Sequence, residues 1–177
     1  DSTLDRGFFL SDDGGAAGSK YYLSGTGQLV VRTTGNGNTS LGGMLTSTHR
    51  WAGDAPLASF LPSQATTGGI DFTRYFADRE WVLEANGVAS HVTGDPAPIL
   101  ALQASAVHYY QRPDASHLGV DPNATSLSGH GGSVRFGRSD TSRLRLGEEF
   151  SWYSPGLNLN DVGFLRQADV ISNQVFL

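Results

Sequence analysis

The segment KYYLSGTGQLVVRTTGNGNTSLGGMLTSTH, which runs from Lys20 to His49, decides the fold class of this chain. In its first half Leu23 and Leu29 lie at odd positions with other apolar or small residues, and most even positions are polar. A period of two predicts a β-strand rather than a helix. Gly35-Asn36-Gly37-Asn38 then predicts a hairpin turn, because Asn and Gly accept positive φ angles. A second alternating run, Thr39 to His49, completes a predicted antiparallel hairpin.

The same period of two returns along the rest of the chain, between turns rich in Gly, Pro, Asn and Asp. The 177 residues include 23 Gly, 9 Phe, 6 Tyr and 3 Trp, which favours β-structure with many turns, and no segment has a convincing helical period. The sequence therefore predicts an all-β antiparallel meander of roughly eight to ten strands, forming a single β-domain over residues 1–177. Further predicted strands run from Thr67 to Phe76, Glu80 to His91, Ile99 to Gln111, Ser126 to Arg138, Arg143 to Tyr153 and Val170 to Leu177. Turns are predicted at Ala77-Asp78-Arg79 and Ser139-Asp140-Thr141, and a long loop is predicted from Trp51 to Ala65. The glycines of Ser128-Gly129-His130-Gly131-Gly132 indicate a bend, a bulge or close backbone packing.

Two architectures fit such strands, and periodicity alone does not distinguish them. A transmembrane β-barrel needs strands of about ten residues with one oily face, joined by short turns on one side and longer loops on the other. A soluble β-sandwich shows the same alternation with its oily face turned inward. The oily positions here include many Ala and Gly, which would make a thin sandwich core. Aromatic residues near strand ends suit the interfacial girdle of a barrel: they are Tyr21, Tyr22, Trp81, Tyr109, Tyr110, Trp152 and Tyr153.

Composition excludes some classes of function. The net charge is −5 and Lys20 is the only lysine among the 12 basic residues, so the positive charge is dispersed and a nucleic-acid partner is not expected. No run approaches the roughly 18 apolar residues of a membrane helix. There is no Cys, and therefore no disulfide framework or thiolate metal site.

The stretch Trp152 to Asp169, WYSPGLNLNDVGFLRQAD, is too rich in Pro, Gly and Asn to be strand or helix throughout. We expect a turn at its start, because proline cannot donate a ladder hydrogen bond and glycine accepts positive φ. Asn and Asp side chains can then bond their own backbone and hold a structured connection. Either a well-ordered loop between two strands or a binding role fits this stretch. The residues concerned are Ser154, Pro155, Gly156, Asn158, Asn160, Asp161, Gly163 and Phe164.

Two motifs carry a resemblance to a known family. SPGLNLNDVGFLRQAD at 154–169 and YYQRPDASHLGVDPNATSLSGHGG at 109–132 resemble the bacterial domain-of-unknown-function family 5916. The resemblance implies an outer-membrane β-barrel that follows a carbohydrate-binding domain of the family 9 type, located in the bacterial outer membrane or cell envelope. Barrels of that family look longer than this chain, so the chain would be a section of one. Its partners would be membrane lipid, additional strands of the same or another chain, and glycan. The family has no established activity whose residues could be carried over.

One group of polar and aromatic residues suggests ligand binding. Aromatic rings can stack on sugars while neighbouring polar groups bond to hydroxyls, and the alternative is that the tyrosines anchor a strand end. The residues are Tyr109, Tyr110, Gln111, Arg112 and Asp114. In a barrel, Arg112 and Asp114 would lie in a loop above a lumen lined by Gln28, Arg32, Glu84, Asn86 and Gln103.

No catalytic, metal or cofactor site is expected. The five histidines lack metal-ligand spacing. Glu148 and Glu149 are adjacent on a predicted strand and point to opposite faces, so they cannot flank one glycosidic bond. Asp71 and Glu84 could share a face on neighbouring strands, which equally fits a water-filled lumen beside Arg74. The predicted function is a non-catalytic outer-membrane barrel or barrel section with a structural, pore-like or anchoring role; the alternative is a soluble β-sandwich that binds carbohydrate or attaches to a surface assembly.

Overall fold

A computed structural model describes residues 2–12, 21–35, 37–51, 59–138, 145–161 and 163–177, with side chains from residue 37 onward except at position 51. Within these ranges one sheet contains eight strands in the order β1-β2-β3-β4-β5-β6-β7-β8, and every neighbouring pair is antiparallel. The antiparallel β-meander predicted from the sequence is therefore confirmed. The strands are β1 (Ser2–Asp12), β2 (Tyr21–Gly35), β3 (Thr39–Trp51), β4 (Gln64–Phe76), β5 (Trp81–Thr93), β6 (Ser126–Arg138), β7 (Gly147–Tyr153) and β8 (Val170–Phe176).

The sheet is open over the described strands. Pairing runs from β1 to β8 without a ladder between these two outer strands. The predicted hairpin of Lys20 to His49 is present, since Gly35 pairs with Thr39 and Leu23 pairs with Trp51. Six strands, β3 to β8, have described side chains.

Connections differ between the two ends of the sheet. At one end, here called the turn end, the β2–β3 and β4–β5 connections are tight. The predicted turn at Ala77, Asp78 and Arg79 is confirmed, and all three residues have positive φ. Arg79 donates to the carbonyl of Gly37 at 2.8 Å, which joins the two turns. At the opposite end, the loop end, two long segments connect strands: the β5–β6 segment (94–125) and the β7–β8 loop (154–169).

One predicted strand is wrong. Residues Pro96–Ala104 form a helix, α1, and the chain then runs in turns to Leu118, where a strand from Ile99 to Gln111 was expected. Pro96 has no N–H to give a ladder, and it suits the first turn of a helix. Leu and Ala, which looked like an alternating face, are also strong helix formers. Ile99 and Gln103 are four residues apart in α1, so they lie on one face of the helix, and both are buried.

Other element bounds shift by a few residues. The short apolar run at residues 8–10 extends into strand β1, and β4 begins at Gln64, inside the predicted loop Trp51 to Ala65. Strand β7 begins at Gly147 rather than Arg143. The predicted turn at Ser139-Asp140-Thr141 lies outside the described residues. None of the described helices is long and apolar enough to cross a membrane.

Both apolar clusters of the described residues lie at the loop end, on the same face of the sheet. One cluster joins Ala65 of β4, Val92 of β5 and Ile99 of α1. A second joins Leu157, Leu165 and Ala168 within the β7–β8 loop, packed against Val88 and Tyr153. Burying apolar surface contributes about 25 cal/mol per Å², so these clusters hold the two long segments against the strands.

Candidate functional site

The sheet has an apolar face that no described segment covers. Nearly all large exposed apolar residues of β3 to β8 are on this side, because register pairs them across strands, as with Leu41 opposite Phe72. Ile171 is 77% exposed and Val175 is 72% exposed. We define the apolar face by Leu41, Leu45, Ile70, Phe76, Val134, Phe136, Phe150, Ile171 and Val175.

The apolar face is a band with polar borders. On β5 it runs from Trp81 to Ala89, which is about 26 Å at roughly 3.3 Å per residue. Beyond Ala89, towards the loop end, the next register row contains Thr66, His91 and Ser128. Strands of a membrane barrel tilt by about 35–45° and its outer apolar band is about 25 Å tall, so this length of strand would span about 20 Å of such a band.

At its turn-end border the band contains aromatic rings and arginines. Trp81 and Phe136 stack with ring centroids 5.3 Å apart. The Arg138 guanidinium lies 5.7 Å from the Trp81 ring, and that of Arg74 lies 5.3 Å from Phe76. Trp81 was predicted for a girdle, whereas Tyr153 is on the opposite face and Tyr21 and Tyr22 have side chains outside the described set.

The opposite, polar face carries the charges. We define it by Asp71, Glu84, Asn86, Ser133, Arg135 and Glu149, which line a cavity of about 330 Å³ in the middle of the sheet. Arg135 Nη1 lies 2.6 Å from Glu84 Oε2. Asn86 Nδ2 donates to Ser133 Oγ at 2.6 Å. A soluble domain would normally present such side chains to water and bury the other face.

The structure tests the predicted lumen residues individually. Glu84 and Asn86 both line the polar-face cavity, and their place in a barrel lumen stays a prediction. Gln103 was wrongly placed there, because it is buried in α1 and bonds the backbone of Asp121 through both ends of its amide. Arg74 does not lie beside Asp71: it is three residues away and therefore on the other face, and Arg135 is the arginine of the cavity. The side chains of Gln28 and Arg32 lie outside the described set.

The β7–β8 loop lies across the loop-end part of the polar face. The backbone N–H of Asn158 donates to Ser90 Oγ of β5 at 2.9 Å. Asp161 forms an ion pair with Arg50 of β3, 2.5 Å between Oδ1 and Nη2, with both side chains mostly buried. The loop therefore braces strands that are far from it in sequence.

Glycines allow this close contact. A Cβ at Gly129 of β6 would overlap the backbone of Gly156 and Leu157, and a Cβ at Gly156 would overlap the carbonyl of Ser128. The Ser128-Gly129-His130-Gly131-Gly132 stretch was interpreted as a bend, a bulge or close backbone packing, and close packing is confirmed. Inside the loop, Asn160 Oδ1 accepts from the N–H of Leu165 at 2.6 Å, so the predicted bond to loop backbone is confirmed for Asn160. Asn158 instead donates from its side chain to Asp161 Oδ2. Phe164 is exposed, and Gly163 donates to the Leu159 carbonyl.

A buried histidine joins the two long segments. His108, which follows α1, is 1% exposed, and its Nε2 lies 3.0 Å from the Leu157 carbonyl while Ser105 Oγ lies 3.1 Å from its Nδ1. Burial lowers the pKa of His108, because the charged imidazolium loses its hydration. The neutral ring can donate from Nε2 and accept at Nδ1, which satisfies both partners.

The five residues predicted to bind a ligand have different surroundings in the structure. Arg112 forms an ion pair with Asp169, which also contacts His117, and Asp114 lies 3.7 Å from Arg112. Tyr110 is half-buried edge-on against His108, and this burial raises the pKa of its hydroxyl. Gln111 bonds the Ala104 carbonyl, and only Tyr109 presents an exposed ring. Arg112 therefore connects the β5–β6 segment to the β7–β8 loop, whereas the contacts of Tyr110, Gln111 and Asp114 lie within the β5–β6 segment. Glycan binding stays a prediction.

No described group of three His, Asp or Glu side chains is placed to hold a metal ion. Glu148 and Glu149 do lie on opposite faces, as predicted, since Glu148 pairs with Phe136 and Glu149 with Arg135. Comparison with family models, with curated proteins and with solved structures finds no match to this chain.

Sequence reasoning missed Arg50, His108 and the arginines at the turn-end border. His108 was considered only as a metal ligand. Its position in a segment misassigned as a strand concealed its contact with Leu157. The sequence alone could have identified Arg74 and Arg138, because each is a charged residue on the oily side of a predicted strand, next to a turn.

Proposed function

We propose that this chain forms part of the wall of an outer-membrane β-barrel, with the apolar face against lipid and the polar face towards a water-filled interior. The observation that carries the proposal is the uncovered apolar band, about 26 Å long along the strands, on a sheet whose opposite face holds the charged cavity. Lipid removes the penalty for exposing Ile70 or Ile171, and it requires ladder hydrogen bonds to be satisfied within the sheet. The role is structural or pore-like, without catalysis.

The two ends of the sheet support an orientation. Outer-membrane barrels have short turns on the periplasmic side and long loops outside. The tight turn at Ala77 to Glu80 would then face the periplasm, and the β5–β6 segment and β7–β8 loop would face the exterior. Because these two segments fold onto the polar face, they would narrow the interior at its outer end.

Closure of the wall would need more strands or another chain, because β1 and β8 are unpaired with each other in the described sheet. Open edges pair readily with further strands. The resemblance to family 5916 supports the same architecture in a longer barrel, with a location in the bacterial outer membrane and lipid, strands and glycan as partners.

Depth-dependent fluorescence quenching tests the proposal. Of the three Trp residues, Trp81 lies at the turn-end border of the apolar face and Trp152 lies three register rows deeper, about 20 Å along the strands. Single-Trp chains, with the other two changed to Phe, would be folded into bilayers of brominated lipid. Trp152 lies one register row inside the loop-end edge of the band, whereas Trp81 lies at the turn-end border. We therefore expect bromines on the acyl chains to quench Trp152 more than Trp81, and bromines near the carbonyls to quench Trp81 best.

A matched control comes from the neighbouring position. Tyr153→Trp in a chain without other Trp places the ring on the polar face against the Leu157 cluster, and it should not be quenched. A chain that stays monomeric and soluble without detergent, with all its Trp residues unquenched, would overturn the proposal. That result would favour the β-sandwich alternative, in which another sheet covers the apolar face.

A further inference from the structure

The turn-end border of the apolar face combines positive charge with aromatic rings. Phe76, Trp81 and Arg138 form one register row across β4, β5 and β6. The next row towards the middle of the sheet contains Arg74 of β4 and Phe136 of β6, which are separated by strand β5. Both arginines therefore point to the side of the apolar face, with the Trp81 and Phe136 stack between them.

The charges at this border are only partly neutralised. Arg138 Nη2 lies 3.0 Å from Glu80 Oε2, and the Glu80 side chain is 58% exposed, so this pair is weak. Arg74 makes a ring contact with Phe76 and no ion pair with any described residue. One carboxylate thus faces two guanidinium groups, and Arg74 is the group with charge available to a partner.

A second carboxylate limits the site on one side. Glu148 of β7 lies in the same register row as Phe136 and accepts from Asn173 Nδ2 at 3.0 Å. It would repel an anion placed over β7. The favourable position is therefore over β4 to β6, between Arg74 and Arg138.

Apolar residues continue from these arginines towards the middle of the sheet. Leu83, Ala85 and Val134 occupy the next positions of β5 and β6 on the same face. A partner with an anionic head and long apolar chains matches this order, because guanidinium groups bond phosphate oxygens in a bidentate manner and aromatic rings suit the interface between water and hydrocarbon.

We propose that Arg74 and Arg138, with the Trp81 and Phe136 stack, bind the head group of an anionic phospholipid whose acyl chains lie along the apolar face. This inference rests on the proposed membrane location. It adds that the turn-end border selects lipids by head-group charge, with Arg74 contributing more than Arg138.

Trp81 is inside the proposed site and can report on it. In the chain whose only Trp is Trp81, quenching by brominated phosphatidylglycerol would be compared with quenching by brominated phosphatidylcholine at equal mole fractions. A basic side chain near an anionic surface is worth a factor of about five in affinity, so we expect a preference of about fivefold or more for the anionic lipid. The chain whose only Trp is Trp152, far from the border, should show no preference.

Substitutions then show which arginine causes the preference for anionic lipid. Arg74→Gln should lower it about fivefold, Arg138→Gln should lower it less because Glu80 already pairs with that group, and Arg74→Lys should retain most of it. Arg166→Gln is the matched control, since it removes the same charge from an exposed site in the β7–β8 loop. Its lipid preference should equal that of the unsubstituted chain.

The possible outcomes separate the two proposals. Equal quenching of Trp81 by both lipids, or an unchanged preference in Arg74→Gln, overturns the head-group site while the membrane location stands. Absence of quenching at both Trp81 and Trp152 overturns the membrane location and the head-group site together. Equal loss of preference in Arg74→Gln and Arg166→Gln also overturns the site, because it would report net charge alone.

Discussion

The two faces of this sheet differ in their side chains and in what the described segments cover. On the apolar face Ile70 is 67% exposed, and the described segments leave the surrounding band uncovered. On the polar face the middle of the sheet is charged, and the long β5–β6 segment and β7–β8 loop cover the loop end. Both long segments therefore fold onto the side that already has polar groups, and they leave the oily side free.

The difference shows which interactions organise each face. The polar face is held by specific contacts, including the Arg50 and Asp161 ion pair and the His108 bond to Leu157. No segment among the described residues packs on the apolar face, whose specific contacts are those of the rings and arginines at its turn-end border. Substitutions on the two faces should therefore have different costs, and the costs on the apolar face should depend on the solvent around it.

The largest effect is expected where the β7–β8 loop touches strand β6. Gly129→Val places side-chain atoms in the space of the Gly156 and Leu157 backbone, and neither backbone can move without breaking the loop cluster. We expect a loss of about 3 kcal/mol or more in the free energy of unfolding, measured by denaturant titration. Gly43→Ala is the control, since the nearest atom to its Cβ would be the Gly69 carbonyl oxygen at 3.6 Å. Equal stability of both variants would contradict the close packing.

A charge placed on each face tests the contrast between them directly. Ile70→Arg puts a guanidinium inside the apolar band, one register row from its loop-end edge, which costs about 2 to 3 kcal/mol if that face meets hydrocarbon. Asn86→Arg adds the same charge to the polar face, close to Asp71 and Glu84, and should cost much less. Folding free energies in lipid vesicles measure both. Similar costs for the two variants would mean that the apolar face does not contact lipid.

Removing one partner of the loop brace should have a smaller effect. Arg50→Gln leaves Asp161 mostly buried without its cation. Because the pair is only partly desolvated, we expect about 1 to 3 kcal/mol of lost stability, concentrated in the β7–β8 loop. Hydrogen exchange of the loop amides, relative to those of β5, measures this. The double variant with Asp161→Asn should recover part of the loss, and no recovery would show that the two side chains are not coupled.

The smallest expected effect is a dependence on pH through His108. Its pKa in the folded chain is lowered by burial from 6.5, so the unfolded chain binds a proton first as the pH falls. The contribution of His108 to stability is complete above pH 6.5 and is lost as the pH falls from there towards the lowered pKa. His108→Gln should flatten this part of the stability curve, as measured by unfolding at several pH values. An unchanged slope would assign the pH dependence to other groups.

Sequence periodicity correctly predicted most of the strands. The Lys20 to His49 hairpin, the turn at Ala77 and strand β6 all follow from local rules, in which a period of two and turn residues act on neighbouring positions. Helix α1 was missed because Leu and Ala at alternate positions satisfy both a strand and a helix pattern over a few residues. Pro96 and Pro98 were the local signal that could have decided it.

The candidate site also has features that the sequence predicts and features that only the folded structure shows. The sequence by itself determined which residues share a face of each strand, and so it placed Glu84 and Asn86 together and separated Glu148 from Glu149. Only the tertiary structure decided that the β7–β8 loop reaches Arg50 and that His108 bonds Leu157, because contacts between residues far apart in sequence depend on how whole segments pack. The uncovered apolar face was likewise a tertiary result, since an alternating strand is equally able to turn its oily side inward or outward.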